Sequence, residues 1–255
     1  MLIPLRNYSN YSICESNIKI EDLVNFADKE KLPAMAITDY KLLSGALEFS
    51  IKCKSKGIQP IIGLDVDFIS KLKHTSRITL LSKNDIGFKN LNILSTKINT
   101  ENEFQLSLNN INNYSNGNIL ILGGLFSYFQ DLNINSNNLK VILNEITALK
   151  NYFKNDIFFE FDENLDNKLL NEISQKTNIN LFLSSFSFYK QDKDYDAIKI
   201  LHCLKNGEYL QNTSFNLKNN YSLVKNYLEN DNFKSLIQNS ILISNKINFL
   251  IEEKP

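Results

Sequence analysis

Short apolar runs separated by longer amphipathic segments limit what this chain can fold into more than any other feature. Residues 2–5 (LIPL), 34–38 (AMAIT), 60–68 (PIIGLDVDF), 77–82 (RITLLS), 118–122 (NILIL), 156–161 (DIFFEF) and 180–185 (NLFLSS) are rich in β-branched or aromatic residues. Turn chemistry bounds each of them, as it bounds buried strands. Helix-period patterns lie between them at 20–31, 44–56, 84–98, 139–152, 165–176 and 193–206. In the first of these, Ile20, Leu23, Val24 and Ala27 share one face. Alternation of strand and helix predicts an α/β fold on a parallel sheet, either a barrel or an open doubly wound sheet. No GxGxxG follows the first strand, so the dinucleotide-binding form has no support. The Asn-rich stretches 109–118 and 133–138 read as surface loops. Residues 221–249 read as a helical pair, and the charged ending IEEKP reads as an interdomain linker.

The chain has 255 residues, with 28 Lys plus Arg balanced by 28 Asp plus Glu. A protein that grips a phosphate backbone alone carries a basic surplus, so autonomous DNA binding is not expected. Three widely spaced cysteines, Cys14, Cys53 and Cys203, form neither a zinc motif nor a disulfide framework, which suits a reducing cytoplasm. The N-terminus turns polar after five residues, unlike a signal peptide, and no window approaches the ~18 apolar residues of a membrane span.

Barrel enzymes carry their chemistry at the C-terminal ends of strands. Those positions hold Arg6, Asn7 and Tyr8; Asp39 and Tyr40; Asp65 and Asp67; Gly123, Gly124 and Leu125; and Phe186, Ser187 and Phe188. Asp39 and Asp65 alone are a thin set for a hydrolytic metal centre, which needs several converging ligands on each ion. Strand-end Asp residues more often cap the helix that follows. The only histidines are His74, in a polar turn, and His202, next to Cys203 in a helix pattern. Adjacent helical residues point about 100° apart, so that pair is not a nucleophile and its base. The two glycines of ILGGLFS lack the Lys-Ser/Thr of a phosphate loop and suggest close strand–loop packing. Tyr8, Tyr11 and Tyr40 without a basic surround suggest packing rather than base stacking.

From LRNYSNYS through AITDYKLLSGALEF to GIQPIIGLDVDF, the chain resembles the N-terminal PHP (polymerase and histidinol phosphatase) domain of bacterial DNA polymerase III α subunits. The family patterns there are H-L-x-x-H-S-x-Y-S, A-I-T-D-H-x-x-L-x-G-A-x-E-F and G-I-x-P-I-I-G-x-E. The likeness continues in ITLLSKNDIGFKNLNILST, FFEFDEN and YKQDKDYDAIKILHCLKNGEYL, covering nearly the whole chain in order. It implies a distorted seven-stranded (β/α) barrel of PHP type over residues 1–220. A helical extension, residues 221–255, would lead toward a polymerase core.

Active PHP domains hold up to three metal ions with histidines and carboxylates. Carried over, those positions fall on Arg6, Tyr8, Asp39, Tyr40, Asp65, Leu125, Phe186 and Phe188, of which only the two Asp keep a ligand's chemistry. The resemblance therefore implies a dismantled site with no catalytic residues and no cofactor. Arg6 would supply positive charge in place of metal, paired with Asp39 or Asp65. It implies a cytoplasmic scaffold whose partners are the remainder of the α subunit and the proofreading exonuclease, with DNA met only indirectly and no membrane contact. No P-D-F-D-like palm motif is present, so polymerisation is not expected of this chain. Two rivals stand beside this reading: a residual metal-dependent phosphoesterase or 3′–5′ exonuclease using Asp39 and Asp65, and a free-standing interaction protein derived from a PHP domain.

Overall fold

A computed structural model describes residues 1–127, 129, 136–213, 215, 221–223 and 233–251. The strands are β1 Ala34–Ile37, β2 Gln59–Ile69, β3 Thr75–Ser82, β4 Leu106–Ser107, β5 Asn118–Gly123, β6 Ile157–Phe161 and β7 Leu181–Leu183. The helices are α1 Ile20–Lys29, α2 Ala46–Ser55, α3 Asp85–Thr100, α4 Ser136–Phe153, α5 Lys168–Thr177, α6 Tyr195–Asn206 and α7 Lys234–Asn245. One curled sheet runs β1-β2-β3-β5-β6-β7, with β4 pairing the far end of β2.

The sheet is mixed, not parallel as the alternation predicts. β3 runs antiparallel to both β2 and β5. Only residues 70–74 join β2 to β3, in a turn where Ser70 N–H donates to the His74 carbonyl at 3.0 Å. A connection that short cannot make the crossover a parallel pair needs.

Residues 2–5 are not a sheet strand, although their composition suits one, and β4 takes the seventh place. The N-terminal segment instead bridges the two edges of the sheet. On one side the Ala36 and Thr38 amides donate to Pro4 and Asn7 carbonyls at 2.8 and 2.9 Å. On the other the Tyr8 amide donates to the Ser187 carbonyl at 3.1 Å. The Asn7 side chain ties both sides, donating to the Ala36 carbonyl (3.0 Å) and accepting from Ser187 Oγ (2.8 Å). The result is a distorted barrel.

Helix readings hold at 20–31, 44–56, 84–98, 139–152, 165–176 and 193–206 within a few residues at each end. The reading of 133–138 as a loop is corrected at 136–138, which open α4; residues 133–135 lie outside the described residues. Of the helical pair expected at 221–249, α7 is present, residues 221–223 are not helical, and 224–232 lie outside the described residues. The terminal residues 252–255 lie outside them too.

Strand alternation then builds the interior in layers. Ile61, Leu81, Ile119, Ile121, Phe158 and Phe182 point inward and make an apolar floor. Their neighbours Ile62, Leu64, Val66, Leu80, Leu120 and Phe159 face the helices. Moving up each strand by steps of two places Asp65, Thr79 and Glu160 in the next interior layers, all fully buried. Sequence parity alone thus delivers carboxylates to the middle of the barrel.

Asn7→Ala removes both side-chain ties at the barrel's seam and leaves buried partners unpaired. The expected loss is about 2 kcal/mol or more of unfolding free energy, measurable by urea denaturation.

Candidate functional site

At the centre sits Arg6, 1% exposed, carried by the N-terminal segment. Its Nη2 donates to Asp65 Oδ1 and Oδ2 at 3.0 and 2.8 Å, and its Nη1 donates to Glu160 Oε2 at 2.8 Å. Other donors meet the same two carboxylates. Thr79 Oγ1 donates to Asp65 Oδ1 at 2.8 Å, the Tyr8 hydroxyl donates to Asp65 Oδ2, and Ser184 Oγ donates to Glu160 Oε1 at 2.6 Å. Burial alone would lower the guanidinium's pKa, but Asp65 and Glu160 outweigh it and hold Arg6 charged, above its ordinary value. Burial, reinforced by Asp65, likewise holds the Tyr8 phenol well above its usual range and keeps it a donor.

A second ionic layer closes the mouth. Arg77 on β3 donates to the Tyr8 hydroxyl at 3.2 Å and forks onto Glu15 at 3.0 and 2.7 Å. Lys205 of α6 meets the same Glu15. The Arg77 guanidinium lies 3.9 Å from the Tyr40 ring centroid and 4.2 Å from that of Phe126, a cation–π sandwich. Three cations, Arg6, Arg77 and Lys205, thus stand against three carboxylates, Asp65, Glu160 and Glu15.

Aromatic side chains fill the rest. Phe186 meets Tyr8 edge-on at 4.8 Å and lies 5.2 Å from the Arg6 guanidinium. Phe188 stacks on Tyr221 at 5.5 Å, and Leu125 packs against the same cluster. Tyr40 donates its hydroxyl to Asp67 at 2.7 Å. The grouped tyrosines divide: Tyr8 and Tyr40 join this cluster, whereas Tyr11 packs with α1 and α2.

Asp39 does not join Arg6, which corrects one of the two pairings expected. It accepts from the Ser9 amide (2.6 Å), Ser9 Oγ (2.7 Å) and Ser12 Oγ (2.6 Å), and so pins the loop after the N-terminal segment. Burial raises its pKa, with Ser12 and Ser9 opposing. Gly124, at φ +70°, lies against the Arg6–Glu160 pair, where a Cβ would collide with Glu160 Oε2; close packing is what the glycine serves. His74 is exposed in its turn, and His202 hydrogen-bonds Asn206 at 2.8 Å and packs on the Phe215 ring at 4.5 Å.

Glu160, Arg77 and Glu15 were not among the expected site residues. Glu160 had a signal: in IFFEF it shares parity with inward-facing Phe158, and a buried carboxylate needs a partner. The Glu15–Arg77 pair, 62 residues apart, had none.

The family model for the PHP domain matches residues 4–164, most of the barrel. The chain belongs to the PHP family. Among relatives, the DNA polymerase III α subunit of Borreliella burgdorferi is 29% identical over 227 residues, covering 80% of this chain and 19% of that protein. The subunit from Buchnera aphidicola is 28% identical over 233 residues, covering 86% of this chain and 20% of that protein. The chain therefore spans about a fifth of the length of the curated relatives it matches. Among solved structures, an amidohydrolase from Chromobacterium violaceum superposes with a TM-score of 0.51 at 12% identity, over 74% of this chain and 88% of that one, a likeness of fold.

PHP membership implies a metal centre, and the donor set here does not fit one. The oxygens of Asp65 and Glu160 already accept from Arg6, Tyr8, Thr79 and Ser184, and a guanidinium lies between the two carboxylates. A divalent cation would have to displace that charge. Among the described residues, no three His, Cys, Asp or Glu side chains converge as a ligand set.

Arg77 and Lys205 outweigh burial and lower the Glu15 pKa. A depressed carboxylate contributes stability above its unfolded pKa and loses it as pH falls through the folded value. The melting-temperature gap between the native chain and Glu15→Gln should hold at neutral pH and narrow as pH falls below ~4.3, the ordinary Glu value. A thermal unfolding series across pH reads this directly.

Proposed function

We propose that this chain is a non-catalytic PHP domain from the N-terminal region of a replicative DNA polymerase III α subunit. The parent chain would be a DNA-directed DNA polymerase, a nucleotidyltransferase, whose chemistry lies beyond this segment. The domain braces the polymerase core and offers a docking surface to the proofreading exonuclease, meeting DNA only through them. Residues 1–220 make the barrel in this reading, and 221–255 lead toward the core. The relatives' names support the context, since they are α subunits from several bacteria.

One observation carries the loss of catalysis: Arg6 lies between Asp65 and Glu160, in reach of both. A fixed positive charge there satisfies the carboxylates without metal, and a PHP centre deprived of its ions has no means to activate water. Phe186 and Phe188 fit the same account, because phenyl rings offer a hard cation no ligand atom.

Two measurements test it. Protein purified without chelator is analysed for bound metal, then assayed for phosphodiesterase activity with added Mn²⁺ or Zn²⁺. The expected result is neither stoichiometric metal nor cleavage. One or more tightly held ions, with cleavage abolished by Asp39→Ala, would restore the enzyme.

A further inference from the structure

The barrel's seam is held in two different ways. In its upper half, Asn7 and Tyr8 make the bonds described above to β1 and to Ser187. In its lower half, residues 2–5 lie beside β7, yet among the described residues no backbone hydrogen bond joins them to it. That gap leaves polar backbone groups on both sides that need partners.

Two successive side chains of α7 supply one on each side. Ser240 Oγ accepts from the Ile3 amide at 3.1 Å, and Asn239 Nδ2 donates to the Leu181 carbonyl at 2.7 Å. One bond goes to each side of the gap. Apolar contacts follow the same line: Ile237 packs with Leu2 and Leu183, and Ile243 and Ile247 join Ile3, Leu5, Ala34 and Phe182 in the barrel floor. Beyond α7 the chain rims the floor. Asn248 N–H donates to the Lys83 carbonyl at 3.1 Å, Lys246 reaches Asp156 at 2.9 Å, and Ile251 exchanges two hydrogen bonds with the Ser50 hydroxyl on α2.

We propose that α7 is a latch that stands in for the missing ladder between residues 2–5 and β7, and so fixes the segment that delivers Arg6 to the centre. Arg6 lies three residues after Ile3, which Ser240 holds. Whatever moves α7 moves the anchor of the buried ion pair. The latch couples the C-terminal helix to the barrel's centre, a link that does not depend on whether that centre binds metal or on which partners the domain meets.

The test is site-resolved amide hydrogen exchange on the full chain. The double variant Asn239→Ala/Ser240→Ala should speed exchange of the seam amides of Tyr8, Ala36 and Thr38 by about tenfold or more, as expected for two lost hydrogen bonds. The amides of Leu80 and Leu81 in β3 should keep their protection. Ser240→Thr, which retains the hydroxyl, should behave as the native chain. If the double variant does not fold, each single variant is read in the same way. Unchanged protection at the seam, or equal loss at seam and β3, would overturn the latch.

Discussion

One buried guanidinium neutralises two carboxylates that strand alternation forces into the barrel, and the rest of the centre is arranged around it. An isolated ionised carboxylate in such a place costs far more than one hydrogen bond returns. Asp65 and Glu160 are tolerable because Arg6 contacts both, and because Tyr8, Thr79 and Ser184 donate to them as well. Gly124 leaves the room for that contact, and the aromatic cluster keeps water from it. Removing one member of such a network leaves a buried charge without its partner, the costly direction of change.

Arg6 supplies, from the chain itself, the positive charge that both buried carboxylates face. The outer layer of Glu15, Arg77 and Lys205 ties the loop after the N-terminal segment to β3 and to α6, so elements far apart in sequence close over the centre.

Much of this was legible in the sequence. Apolar runs and helix periods located six of the seven strands and six helices, since burial on one or both faces leaves a periodic record. The family motifs brought Arg6, Tyr8, Tyr40, Asp65, Leu125, Phe186 and Phe188 to one end of the barrel. Three things were hidden for physical reasons. Residues 2–5 have strand composition, but beside β7 the Ile3 amide turns to Ser240 of α7, a partner more than 230 residues away. β4 is two residues long and leaves no period. Asp39 looked available to Arg6, but a serine hydroxyl leaves no directional mark in sequence, and Ser9 with Ser12 takes that carboxylate.

A double-mutant cycle between Arg6 and Glu160, read by urea denaturation, tests the central claim most directly. Arg6→Met alone should cost about 3–5 kcal/mol, as breaking a buried pair does. Adding Glu160→Gln should return part of that loss, with a coupling on the order of 1–3 kcal/mol. Strictly additive losses would mean that the two side chains are neighbours without being partners, and that something other than Arg6 holds the centre together.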